Sequence, residues 1–127
     1  MQIVGCYAQS ELGHGSDIRA LETTAEYDQT TKEWIINSPT ISSGKYWPGE
    51  LGFIADHAIV FAQAYIKGKN YGVLPFLVQI KDKDLNWLPG IEGGDIGPKI
   101  GYHAKENGFI YLRSVRVPKQ NLLNKYV

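Results

Sequence analysis

The chain has one cysteine, Cys6, so it can close no internal disulfide. A lone cysteine suits a reducing compartment, and inside a strand-like run it reads as an inert buried thiol rather than a nucleophile. Neither sign of charge is in excess, because 13 Lys and Arg balance 13 Asp and Glu. No strong field therefore favours nucleic acid or an anionic membrane surface. Long apolar runs, a secretory or transit signal and an Asn-X-Ser/Thr acceptor are all missing. The terminal Lys125-Tyr126-Val127 is not a peroxisomal address. His14, His57 and His103 lack the spacing of a metal site, and no Ser-His-Asp or Cys-His arrangement is readable. His57, on an apolar strand, reads as a hydrogen-bonded core histidine. Helix signals are as scarce as these.

What remains is a β pattern. At 127 residues one domain, 1–127, is expected, long enough to bury a core without staples. Thr23, Ala25 and Tyr27 alternate with Glu22, Thr24 and Glu26. Asp28-Gln29-Thr30-Thr31-Lys32 is a polar turn, and Glu33-Trp34-Ile35-Ile36-Asn37 returns, which predicts a hairpin. Residues 57–65 read as a buried strand, Asn70-Tyr71-Gly72 as a turn, and 73–80 as a strand that Pro75 confines to an edge or a bulge. Asn107-Gly108 reads as a hairpin turn before Phe109-Ile110-Tyr111-Leu112. Val115-Arg116-Val117 is a last short strand stopped by Pro118. Residues 38–56 and 82–107 look like two long irregular stretches, rich in Gly, Pro and Trp. The expected fold is mainly β, a small, mostly antiparallel β-barrel or sandwich with two large loops.

Three segments could carry chemistry. Residues 10–17, Ser10-Glu11-Leu12-Gly13-His14-Gly15-Ser16-Asp17, follow a strand-like run with hydroxyls and glycines. Such a loop can cradle a polar ring edge or a phosphate with hydroxyls and backbone N–H groups. It can equally be a turn of positive-φ glycines with Ser16-Asp17 capping a helical turn, and Glu11 and Asp17 facing solvent or capping. Lys45-Tyr46-Trp47-Pro48-Gly49-Glu50-Leu51-Gly52 sets two aromatics beside a tight turn, which suits a planar ligand or merely covers a barrel end. Gly93-Gly94-Asp95-Ile96-Gly97-Pro98-Lys99-Ile100-Gly101 has neither dinucleotide nor P-loop spacing and reads as a structural loop. These residues give a β domain with two ligand-suited loops and no reaction.

The order of motifs carries more. CYAQSELGHGSD, LETTAEYD, INSPT, KYWPGELG, HAIVFAQ, LPGIEGGDIGPKIGY, NGF and RVPKQNLLNKY follow one another along nearly the whole chain. The series resembles the middle domain of peroxisomal acyl-CoA oxidases, within the acyl-CoA dehydrogenase superfamily. The resemblance implies one β domain of a larger enzyme, with FAD lying between it and C-terminal helices. It implies oxidation of an acyl-CoA to a trans-2-enoyl-CoA in fatty acid β-oxidation. A base removes the α-proton, hydride passes to flavin N5, and dioxygen becomes hydrogen peroxide. The redox chemistry belongs to the flavin, and the protein positions it.

By the same resemblance the flavin-binding hydroxyl falls on Ser10, the flavin-contacting glycine on Gly49 and the aromatic near the ring on Trp47. Ser16 matches a serine near the cofactor's phosphates or the pantetheine. Glu50 and Phe53 depart from the glycine and lysine usual in oxidases, which bears on the adjacent loop. The family's glutamate base has no counterpart here, so no catalytic residue is expected. A partial FAD site, acyl-CoA and O2 as substrates, missing helical domains, a homodimeric parent and a peroxisomal location follow as expectations, with no nucleic acid or membrane partner. A dehydrogenase middle domain, or a stand-alone β module binding a sugar or lipid through Tyr46, Trp47 and Trp87, is the competing reading.

Overall fold

The computed structural model describes residues 4–49, 51–52, 54–97 and 107–123. Among them it contains nine strands: β1 (Gly5–Ala8), β2 (Thr24–Asp28), β3 (Glu33–Asn37), β4 (Lys45–Gly49), β5 (His57–Ile66), β6 (Lys69–Gln79), β7 (Ile91–Asp95), β8 (Asn107–Leu112) and β9 (Val115–Pro118). Helix is limited to three short 3-10 turns among the described residues, none long enough to cross a membrane. The mainly β expectation holds.

The strands form two sheets. The larger runs β1-β5-β2-β3-β9, with β6 on the other side of β5. The smaller runs β4-β8-β7. Most pairs are antiparallel, but β5 takes both β1 and β2 in parallel along one edge. Ala58, Val60, Ala62 and Ala64 put one face of β5 in the core, alternating with half-buried residues. Trp34 and Phe76 meet there edge to face, 5.1 Å between ring centroids. The small alanines of β5 leave room for those rings.

The β2–β3 hairpin forms with the expected turn, and Val115–Pro118 ends the sheet. Pro75 sits on β6, which pairs with no strand but β5 among the described residues, so the missing N–H costs no second ladder. Three expectations need correction. The chain reverses at Lys67-Gly68, with φ 51° and 77°, a tight two-residue turn, not at Asn70-Tyr71-Gly72. Asn70 and Gly72 instead mark a bulge in β6: the Asn70 side chain accepts the Gly72 N–H at 2.6 Å, and Gly72 has φ 91°. Asn107-Gly108 is not a turn but the start of β8. The two irregular stretches contain strands β4 and β7, each paired to β8.

Candidate functional site

The end of β1 and the whole of β4 meet. Tyr46 N–H donates to the Ser10 carbonyl at 3.0 Å, Leu12 N–H to Gly44 at 2.8 Å and Gly13 N–H to Ser42 at 2.9 Å. The loop after β1 is thereby pinned along β4. The 10–17 glycines do not adopt positive φ, and Asp17 precedes the Ile18–Ala20 turn without a side-chain cap. The turn reading is thus correct in its helical turn and wrong in its glycines and cap.

An open depression of about 370 Å³ lies where these strands end. Tyr7, Gln9 and Ser10 form one wall, and Tyr46, Trp47, Pro48 and Gly49 the other, with Asn107 between. The pairing of β4 with β8 is interrupted between Tyr46 and Gly49. Trp47 occupies the interruption at φ 90°, unusual for a bulky side chain, and the residue is 53% exposed. The Asn107 side-chain amide donates to the Trp47 carbonyl at 2.8 Å and fixes that conformation. Pro48 is buried beside it. The exposed Trp47 therefore stands across the depression from Ser10, whose hydroxyl has no partner among the described residues.

Three of the four expected cofactor residues, Ser10, Trp47 and Gly49, come together here. Ser16 does not: it is exposed on the same loop, outside the depression. Trp87 also stands apart; its ring is covered by the Lys81 ammonium, 4.4 Å from the centroid. Glu50, Phe53, His103 and positions 98–101 lie outside the described residues. Tyr7, Gln9 and Asn107 escaped the sequence reading. Tyr7 lies on β1, and Gln9 and Ser10 follow its end, so proximity to Ser10 in the chain could have signalled both; Asn107 was disguised by its glycine neighbour.

Glu11 neither faces solvent nor caps a helix. Its carboxylate is fully buried and accepts Glu22 N–H at 2.7 Å, Thr23 N–H at 2.9 Å and the Thr23 hydroxyl. Lys45 Nζ, equally enclosed, lies 3.2 Å from it and donates to the Gln9 carbonyl at 2.9 Å. Burial pulls the Lys45 ammonium down to about 8, against the opposing pull of Glu11. A second buried lysine, Lys81, sits 3.3 Å from the carbonyls of Leu51 and Gly52, which follow β4. Lys45 thus holds backbone of the first wall, and Lys81 holds backbone just beyond the end of β4.

His14 and His57 serve carboxylates. His14 Nε2 lies 2.8 Å from Glu22, which also accepts the Ser42 and Thr40 hydroxyls at 2.6 Å each. Those two hydroxyls and then His14 hold the Glu22 carboxyl at about 2. His57 Nδ1 pairs with Asp56 at 2.9 Å, as a hydrogen-bonded histidine, though half-buried rather than enclosed. Cys6 is buried in β1, as expected. Among the described residues no cluster of His, Cys, Asp or Glu is arranged to hold a metal.

The chain is a curled β domain with an open, aromatic-lined depression at the edge of its smaller sheet. Residues 6–115 match the family described as "Acyl-CoA dehydrogenase, middle domain", and the chain belongs to that family. It is 52% identical over 127 residues to the peroxisomal acyl-coenzyme A oxidase 1 of Pongo abelii, covering 99% of this chain and 19% of that protein. Among solved structures, acyl-CoA oxidase-1 of Caenorhabditis elegans complexed with FAD and ATP superposes with a TM-score of 0.95 at 47% identity, over 98% of this chain and 19% of that one. Acyl-CoA oxidase-2 of the same organism, bound with FAD, ascaroside-CoA and ATP, gives 0.95 at 48% identity, over 98% and 19%. The chain therefore spans about a fifth of the length of the relatives it matches.

Proposed function

We propose that residues 1–127 are the FAD-contacting β domain of an acyl-CoA oxidase of fatty acid β-oxidation. The observation that carries this reading is the convergence of Ser10, Trp47 and Gly49 on one open depression. The residues present fit a flavin. Trp47 and Pro48 offer a flat apolar surface to the face of a ring, and the Ser10 hydroxyl offers a donor to its polar edge. Gly49 adds no side chain where ring and backbone would meet. Ser16, outside the depression, is assigned to the cofactor's phosphates or the pantetheine.

When bound, the flavin supplies acceptance of hydride from the β-carbon of an acyl-CoA and delivery of electrons to dioxygen, yielding trans-2-enoyl-CoA and hydrogen peroxide. The chain's own residues bind and orient it. Ser10 hydrogen-bonds the ring edge, Trp47 packs beside the ring, and the bulge braced by Asn107 keeps Trp47 at its angle. No residue here matches the family's glutamate base, so the proton-removing group belongs to helical domains elsewhere in the parent. The isolated domain is accordingly inactive. The parent is peroxisomal, in keeping with the name of its relatives; we propose further that it is a homodimer and that this domain binds neither nucleic acid nor membrane.

The test is acyl-CoA oxidation by the full-length parent in air. Hydrogen peroxide formed mole for mole with enoyl-CoA is expected. Enoyl-CoA formed without peroxide, and only with an electron-accepting flavoprotein, would overturn the oxidase reading in favour of a dehydrogenase.

A further inference from the structure

We propose that Lys45 is a positioning residue for the flavin, because its buried ammonium ties the wall of the depression that carries Ser10 to the wall that carries Trp47 and Gly49. This inference rests on the flavin reading above.

Lys45 opens β4, and the residues that follow it form the second wall. Its ammonium crosses to the first wall and holds the carbonyl of Gln9, the residue before Ser10, at 2.9 Å. Tyr46, next in line, donates its N–H to the Ser10 carbonyl at 3.0 Å. Two successive residues of β4 thus grip two successive residues of the first wall. Glu11, the residue after Ser10, closes the frame: it bridges to Lys45 and is anchored by Thr23 and the Glu22 N–H. The Ser10 hydroxyl is therefore flanked on both sides by groups that Lys45 holds.

An ion pair is an expensive way to fill a core. Taking an ammonium out of water is costly, and apolar replacement of a buried pair is often neutral for stability. A methylene chain in its place would pack equally well but would leave the Gln9 carbonyl without its donor. What the charged pair adds is a fixed distance between two backbones, through directional bonds in a low-dielectric interior. A purely stabilising pair would need only Glu11; the donor aimed at Gln9 is the part that addresses the site.

The test uses the full-length parent with its flavin removed and restored. K45M/E11Q removes both buried charges together, K45M removes only the lysine, and E11Q keeps the donor to Gln9. Three quantities are read: melting temperature of the apoprotein, FAD dissociation constant, and the visible absorption band of the bound flavin. K45M/E11Q is expected to melt within a few degrees of the parent yet bind FAD about tenfold more weakly, with a displaced band, the loss of roughly one well-placed hydrogen bond. E11Q is expected to keep its FAD affinity within about threefold of the parent. Parental affinity and an unshifted band in K45M/E11Q would overturn the proposal. Should that variant not fold, K45R serves: it keeps a cation for Glu11 but places a planar fork where a compact ammonium sits. Weaker FAD binding at a parental melting temperature then supports the proposal, and parental binding overturns it. A parent that takes up no FAD at all would remove the flavin reading itself, and this inference with it.

Discussion

The side-chain amide of Asn107 donates to the carbonyl of Trp47 at 2.8 Å, across the interrupted pairing of β4 and β8. Trp47 has φ 90°, a conformation that costs a bulky residue on the order of 1–3 kcal/mol. One bond from the neighbouring strand offsets that strain and aims the ring into the depression. Asn107→Ala should free Trp47 to relax and destabilise the fold by about 1–3 kcal/mol, since it leaves a carbonyl unpaired. Denaturant unfolding checks the energy, and the emission spectrum of Trp47 checks the relaxation. An unchanged midpoint with unchanged emission would mean that Trp47 is held by something else.

Gly108 marks a tight backbone approach behind this wall. A Cβ there would stand 2.6 Å from the Gly52 nitrogen and 2.9 Å from the Gly94 carbonyl, both backbone atoms that cannot swing aside. Gly108→Ala should lower the melting temperature by several degrees, corresponding to about 1–3 kcal/mol or more of overpacking. Gly15→Ala, with nothing within 4 Å of its added methyl, should leave the melting temperature almost unchanged. Equal effects of the two would refute the close packing of β8 against the chain after β4.

Glu22 contributes to the acid limb of the stability profile together with Asp28, Asp56 and Asp82, whose carboxyls hydrogen bonds also hold below their ordinary values, and Lys45 contributes to the alkaline limb. The Glu22 carboxyl is held down at about 2 from 4.5 by Ser42, Thr40 and His14, so its contribution is present above pH 4.5 and is lost as the pH falls toward 2. Lys45 runs the opposite way. Burial lowers its ammonium to about 8 from 10.5, so between those values the unfolded chain binds the extra proton and stability rises with pH. Melting temperatures from pH 2 to 10.5 should show Glu22→Gln flattening part of the acid limb and K45M/E11Q removing the alkaline rise. An acid limb that Glu22→Gln leaves intact would assign it to other carboxylates.

The parts of the fold that the sequence makes legible are those whose own residues encode them. The β2–β3 hairpin shows in its alternation, and Pro75 announces an edge. Strands β4 and β7 do not show, because Pro48-Gly49 and Gly93-Gly94-Asp95 read as turns and mask the strand-forming Tyr46, Trp47 and Ile91 beside them. Their partner β8 makes them strands; a Cβ on Gly93 would stand 2.7 Å from both the Phe109 carbonyl and the Trp87 ring, so the glycine there serves packing. Ser10, Trp47 and Gly49 were legible through motif resemblance, not through spacing. The buried frame behind them was not, since lysine and glutamate ordinarily face water and only the fold reveals Lys45 and Glu11 as partners.

The depression is open, so on the proposed reading the domain alone would offer FAD only part of its site. Titration of the isolated domain with FAD should give binding weaker than about micromolar, or none. Micromolar or tighter binding would mean that this domain holds most of the cofactor's contacts by itself.

The central claim is that the flavin ring rests against the Trp47-Pro48-Gly49 turn, and flavin content of two variants of the full-length parent tests it most directly. Gly49→Val places a branched side chain where ring and backbone would meet, while Ser10→Ala removes one hydrogen bond, on the order of 0.5–1.5 kcal/mol. Purified Gly49→Val is expected to lose most of its flavin and its oxidase rate, and Ser10→Ala to keep much of both. Full flavin and full rate in Gly49→Val would contradict the placement of the ring against this turn.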